Sequence, residues 1–371
     1  MSSFPLAGIR ILSLAEQYPG PYATMLLADL GADVILVERP AGGDPARRFP
    51  GLFAAFNRNK RSVALDLKSD GGHADFLRLV DSADVVIEGF RPGVMARLKI
   101  GAKQLRARRP GLVFVSISSQ GQGGPSAGVA GHDLSIQGAA GMVNAAAGRE
   151  ADLKLPVLPL ADISSAMFAA LGVVTALYAR SQSGHGSEID VSMLDSLVSW
   201  MTPFLVPPMN GLPTRTLPPL EPAYGVFATA DGRQITLSIA GEDGMWQALC
   251  SLLGLPQWAH LGEREREARS AEIAPLLRQA IAGRPYVPLC AQLEAQGIAF
   301  GPVLALDEVL NSSQLISRRM VLEVDGPQGR QRFVRQPLLI DGQVGAIARP
   351  APALGEHNAE LLTQPAMAAA S

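Results

Sequence analysis

The chain has 371 residues, of which 47 % are hydrophobic and 18 % charged, and its 32 basic and 34 acidic side chains leave a formal charge of −2. That balance supplies no field to gather nucleic acid or anionic lipid, so neither is expected as a partner. The two cysteines, Cys250 and Cys290, stand apart with no His or Cys at metal spacing, which argues against a disulfide framework and leaves no metal ligand set.

The length suits one large domain and a smaller lobe. The apolar content is high for a monomer, which points to a subunit interface. The opening residues lack the basic stretch and apolar core of a signal peptide, and apolar runs such as 166–178 are too short to span a bilayer. A cytoplasmic protein with no membrane role is the expectation.

An apolar run at 8–14, helical spacing of Tyr22, Met25, Leu26 and Leu30, and a second run at 33–37 make a β-α-β signature. Strand candidates recur at 62–67, 83–88 and 112–117, with helical stretches at 72–80 and 103–108. The pattern predicts an α/β fold, a large Rossmann-like domain with a mainly parallel sheet. Glycines at 121, 123, 124 and 131 mark a loop after the last of these strands, where open α/β sheets place ligands. The loop is neither G-x-G-x-x-G nor a P-loop, so a nicotinamide enzyme is a poor fit.

Helical stretches at 134–143 and 163–181 follow, the second ended by Gly184-His185-Gly186, then a strand at 187–192 and a helix at 193–201. Seven prolines from Pro203 to Pro222 fit a semi-rigid linker. A hairpin at 224–239 and helices at 244–253 and 271–280 read as a small α+β lobe, and two short strand candidates follow from 321. The expected organisation is a large domain over 1–200, a linker over 201–223, the lobe over 224–305 and a return to the large domain over 306–371.

Several stretches carry a resemblance. They are Leu26-Leu27-Ala28-Asp29-Leu30-Gly31-Ala32-Asp33-Val34, Asn57-Arg58-Asn59-Lys60-Arg61-Ser62, Glu88-Gly89-Phe90-Arg91-Pro92-Gly93, Gly131-His132-Asp133-Leu134, Leu160-Ala161-Asp162-Ile163 and Ser187-Glu188-Ile189-Asp190-Val191-Ser192-Met193-Leu194-Asp195. In this order the chain resembles the class III CoA-transferase superfamily, which also holds the 2-methylacyl-CoA racemases. The resemblance implies an interlocked homodimer, each chain a ring threaded by the other. It also implies an acyl-CoA and a small carboxylic acid as substrates. Coenzyme A is then a substrate and no permanently bound cofactor is expected.

Read alone, Asp162 stands ahead of an apolar helix with Ser165 three positions on, which makes it an N-cap. The same position favours an ionised carboxylate. In the transferases the matching Asp is the nucleophile; in the racemases it exchanges a proton while a His serves the opposite face, oriented by a Glu. His132 and Glu242 match those two. Ile163-Ser164-Ser165-Ala166 replaces the glycine-rich segment of the racemases, and the stretch before Tyr224 resembles the transferases.

For coenzyme A, the resemblance points to Arg39, Arg58, Lys60, Lys68, Arg91 and Arg97 as cations and to Gln17 near the first turn; solvated surface charge is the plainer reading of any one of them. Three functions remain open. These are a CoA-transferase working through Asp162, a racemase using His132 and Asp162, and a CoA-binding protein without catalysis.

Overall fold

Six short apolar runs become the strands of one parallel sheet: β1 (Arg10–Leu14), β2 (Asp33–Glu38), β3 (Lys60–Ala64), β4 (Val85–Glu88), β5 (Val113–Ser118) and β6 (Glu188–Ser192). The computed structural model describes residues 4–147, 156–213, 220–326, 329–345 and 347–362. The sheet order is β3-β2-β1-β4-β5-β6, with every pairing parallel. Helices cover both faces, so the central strands read as unbroken apolar runs with no alternation. Ile11, Leu12, Ile35, Val86, Ile87 and Val115 are fully buried, each contributing about 1.5–3 kcal/mol of hydrophobic stabilisation.

This order reverses direction between β1 and β4. Chains leaving β1 and β4 at their carboxyl ends part to opposite sides, which opens a crevice there. The 24-residue helix Leu160–Ser183 crosses over between β5 and β6 and therefore begins at that same edge. Its Ala166, Ala169, Val173, Ala176 and Leu177 face joins the core with helix Pro19–Asp29 and strands β1, β4 and β5. By length and composition it could also cross a membrane, although 44 % of its most apolar window is buried in the fold. The expectation that no apolar run reaches that length is corrected.

The contacts divide the chain into two units, Met1–Leu205 with Gln314–Ser371, and Val206–Ser313. In the first, the C-terminal segment covers the β3 edge: the Asn358 side chain accepts the Ala64 N–H at 2.8 Å, and the His357 N–H donates to the Ser62 carbonyl at 3.0 Å. In the second, β7 (Tyr224–Ala228), β8 (Gln234–Ser238) and β9 (Phe300–Pro302) form an antiparallel sheet packed on a core around Trp246. The first unit also holds the antiparallel pair β10 (Val321–Gly326) and β11 (Gly329–Val334).

Three local expectations shift. Part of the 201–223 stretch is the helix Thr202–Met209, with Pro203 in the first turn, where no intrahelical N–H is needed; residues 214–219 lie outside the described residues. The helix expected at 134–143 is two, Asp133–Ala139 and Met142–Ala147, broken at Gly141, whose φ of 79° is left-handed. The long helix starts three residues earlier than its apolar pattern indicates, which puts Asp162 inside its first turn and gives the N-cap position to Pro159.

Candidate active site

The crevice holds two cavities that share the rim residues Glu16 and Phe90. The first, about 320 Å³, is lined among others by Gln17, Tyr18, Arg91, Ile117, Val129, His132, Asp162 and Met193. The second, about 610 Å³, is lined by Arg39, Lys68 and Arg97 together with Val37, Leu65 and Leu67. The first cavity thus holds Asp162 beside His132 and Arg91, and the second holds three cations and the carboxyls of Glu16, Glu38 and Asp66 over an apolar floor.

The turn after β1 is held by a chain of acids. Gln17 adopts a φ of 68°, a strained value for a side-chain-bearing residue, and its N–H donates to both Asp44 oxygens at 3.1 and 3.2 Å. The Asp44 N–H in turn donates to Glu38 at 3.0 Å. Glu38 is gripped by Arg47 through two bonds of 2.7 Å and by Ser62 at 2.6 Å. Burial raises the Glu38 carboxyl pKa, but Arg47 and Ser62 together outweigh it and hold the group below its ordinary range. Gly20 lets the next helix start against this turn, since a Cβ there would lie 2.1 Å from that of Ala15.

Asp162 is partly exposed at the cavity. Its backbone N–H and that of Ala161 donate to Asp133 Oδ1 at 3.3 and 2.8 Å, so Asp133 caps the helix. Asp133 is itself held through its other oxygen by the buried Gln137 at 2.7 Å. Burial, and then the Asp133 charge, push the Asp162 carboxyl up to about 7. At neutral pH such a group is divided between an anion able to attack a thioester and an acid able to give up a proton. Tyr18 stands on the same cavity, its ring edge-on to Phe56 at 4.7 Å. Burial and then the Asp162 charge raise its phenol, which therefore remains an O–H donor.

Of the residues singled out in the sequence, Gln17, Arg91, His132 and Asp162 meet at the first cavity, and Arg39, Lys68 and Arg97 at the second. Arg58 and Lys60 line neither of these two, although Lys60 lines a third cavity with Arg47, Phe53 and His357. Arg58 is 2 % exposed and pairs with Asp29 at 2.7 Å. Lys60 is fully buried, its ammonium donating to the Pro21 carbonyl, Thr24 and Asn57 at 2.8, 2.8 and 2.9 Å. Both cations tie helix Pro19–Asp29 to the edge of the sheet. Glu242 belongs to the second unit, where it precedes helix Asp243–Leu253 and accepts the Ala240 N–H at 2.7 Å. Asp133, Tyr18 and Glu16 were not singled out; the only signal for Asp133 was its place in the Gly-His-Asp motif.

A family model described as CoA-transferase family III matches residues 6–358. The chain belongs to CoA-transferase family III. The family III chain is 32 % identical to a succinate–glutarate CoA-transferase of Agrobacterium fabrum, covering 97 % of this chain and 95 % of that one. It is 31 % identical to an acetyl-CoA:oxalate CoA-transferase of Acetobacter aceti, over 96 % and 95 % of the two chains. Among solved structures, Rv3272 of Mycobacterium tuberculosis superposes with a TM-score of 0.86 at 32 % identity, over 96 % of this chain and 99 % of that one. A CaiB/BaiF family protein of Brucella suis gives 0.84 at 29 %, over 97 % and 100 %. Family III CoA-transferases use CoA thioesters as substrates.

Proposed function

We propose that the protein moves coenzyme A from an acyl-CoA, such as succinyl-CoA, to a free carboxylic acid through covalent catalysis by Asp162. The observation that supports this most is that the cavity holding Asp162 and the cavity holding Arg39, Lys68 and Arg97 are neighbours with Glu16 and Phe90 in common, which suits a ligand seated by the cations with its thioester at the Asp162 carboxylate. The ionised carboxylate attacks the thioester carbonyl, the C–S bond breaks, and a mixed anhydride forms with release of the CoA thiolate. The thiolate then attacks the aspartyl carbonyl of the anhydride, freeing the donor acid and leaving an aspartyl-CoA thioester. The acceptor carboxylate attacks this thioester to give a second anhydride, and returning thiolate yields the new acyl-CoA and restores Asp162.

A second reading, racemisation of a 2-methylacyl-CoA, is favoured by one observation: His132 and an Asp162 poised at about 7 line the same cavity. Two assays separate the readings. Purified protein is incubated with succinyl-CoA and a pool of carboxylates, and separately with 2-methylacyl-CoA in deuterated water, both read by mass spectrometry. New acyl-CoA species that vanish in Asp162→Ala support the transferase; α-deuteration without transfer supports the racemase. Coenzyme A binding with neither reaction leaves a binding protein.

The working form is proposed to be a cytoplasmic homodimer. Helix Leu160–Ser183 exposes Met167, Leu171, Val174 and Tyr178, a stripe at helical spacing that water disfavours and a second copy can cover. Sedimentation at the mass of a single chain would rule the dimer out.

A further inference from the structure

Gln137 is a polar side chain buried in an apolar seam. It is fully buried on the helix Asp133–Ala139, which packs on the start of helix Leu160–Ser183 and on the helix Met193–Trp200 through Ile136, Ala140, Ala161, Met193 and Leu197. A methionine or leucine would fill such a seam without desolvating an amide. The Gln137 amide instead serves two acceptors. Its Nε2 donates to Asp133 Oδ2 at 2.7 Å, one turn back on the same helix, and to the Leu158 carbonyl at 3.0 Å, in the segment that leads into the helix of Asp162.

The remaining polar atom shows that this orientation is imposed. Gln137 Oε1 is buried with no hydrogen-bond partner among the described residues. Turning the amide over would not relieve it, because Oε1 would then face the Asp133 carboxylate and the Leu158 carbonyl, both acceptors. An unpaired acceptor is thus tolerated so that Nε2 can hold its two partners. Asp133 depends on that hold. Its Oδ1 accepts the Ala161 and Asp162 N–H groups, and its Oδ2 accepts Gln137. With Oδ2 released, the carboxylate would be fixed by one oxygen only, and its charge could turn away from Asp162 or take up a proton. Glu16, Tyr18, Arg91 and His132 share the cavity with Asp162, and Asp195 stands on the helix Met193–Trp200, yet burial and then Asp133 are what raise the Asp162 carboxyl.

We propose that Gln137 is a positioning residue, which holds the Asp133 carboxylate against the helix start and so sets where that charge stands relative to the Asp162 carboxyl. This rests on Asp162 being the ionising group of the transferase reading, and it adds to that reading a residue that does not line the cavity.

The test compares the full-length wild type, Gln137→Met, Asp133→Asn and the double variant, reading the midpoint of the pH profile for CoA transfer from succinyl-CoA to the pool of carboxylates. Gln137→Met, similar in shape but without the donors, is expected to lower the midpoint by about 0.3–1 pH unit. The double variant is expected to move no further than Asp133→Asn alone, because both changes act through one charge. Gln137→Asn, whose shorter amide cannot reach both acceptors, is expected to shift the midpoint by less, and it carries the comparison if the methionine variant does not fold. Melting curves of each protein against its Asp162→Asn counterpart give a readout that needs no turnover. The gap that opens between pH 4 and pH 8 should be smaller in Gln137→Met than in the wild type. A folded Gln137 variant with reduced activity, an unmoved midpoint and an unchanged melting gap has a packing role only and overturns the proposal. So does a double variant that shifts by the sum of its parts. A wild-type protein that forms no new thioester overturns the transferase reading, and the melting comparison then decides this proposal alone.

Discussion

Asp133 Oδ1 accepts the backbone N–H of Asp162 at 3.3 Å, so the Asp162 carboxylate is carried on a helix whose first turn is capped by another carboxylate. The two effects of this arrangement oppose each other. The exposed N–H groups of a helix start favour a nearby anion, but here the Ala161 and Asp162 N–H groups already serve Asp133. What Asp162 receives from its neighbour is mainly like-charge repulsion added to burial, and both raise its pKa. The Gly-His-Asp motif therefore does two things: it brings His132 to the cavity and, through Asp133, adds to the burial that raises the Asp162 carboxyl.

Asp133→Asn keeps an oxygen on the helix start and removes the charge. The activity-versus-pH profile, which in the wild type is expected to rise through about 7 as Asp162 ionises, is expected to move toward lower pH. Asp133→Ala removes the cap as well and is expected to cost about 1 kcal/mol of stability in addition. An unmoved profile in Asp133→Asn would show that burial alone sets the Asp162 proton.

Asp162→Asn is expected to abolish turnover and to stabilise the fold in a pH-dependent way. The carboxyl pKa is raised from 3.8 to about 7 in the folded state, so the unfolded chain ionises first and wild-type stability falls as pH rises between those values. Above about 7 the penalty is complete. Thermal melts should thus coincide for the two proteins near pH 4 and diverge by pH 8, with the variant melting higher. Coincident melts at pH 8 would remove the case for a raised carboxyl.

The parallel sheet was legible because its central strands are buried on both faces, and burial of that kind leaves continuous apolar runs such as Val34 to Val37 and Val85 to Ile87. β3 was read two residues late because it opens with Lys60 and Arg61, which look like surface charge. Their partners come from elsewhere in the fold: Pro21 and Thr24 for Lys60, Asp33 for Arg61. No local pattern announces them. Asp162 and His132 were found through their motifs, whereas the division of the cations between two cavities depends on which strand end each follows in space. Tyr18 was missed because an aromatic next to Pro19 reads as packing until the turn after β1 is folded back on Phe56.

Glu16 stands on the rim shared by both cavities, 3.9 Å from Arg39. Burial raises its carboxyl; Arg39 opposes that, and Asp44 and Glu38 add to it. In the proposed binding mode an ionised Glu16 competes with a coenzyme phosphate for Arg39, so wild-type CoA affinity is expected to weaken as pH rises through the Glu16 titration. Glu16→Gln is expected to bind CoA about two- to fivefold more tightly, within the range open to a partly screened pair, and with a flatter pH dependence. Calorimetric titrations at three pH values decide this; equal affinities in both proteins would leave Glu16 a neutral rim residue.

Arg58→Ala tests whether this cation serves the fold alone. Removing it strands the Asp29 carboxylate, which is 2 % exposed, with the Asn59 side chain, among the described residues, still donating to it at 3.0 Å. Loss of one partner from a buried pair typically costs about 3–5 kcal/mol, and the remaining Asn59 bond places the expected loss at the lower end. The melting temperature should therefore fall by several degrees. Because Arg58 lines neither cavity, CoA affinity measured well below the new transition is expected to match the wild type. A weakened CoA affinity in the folded variant would return Arg58 to the coenzyme and require the helix Pro50–Asn57 beside it to move when ligand binds.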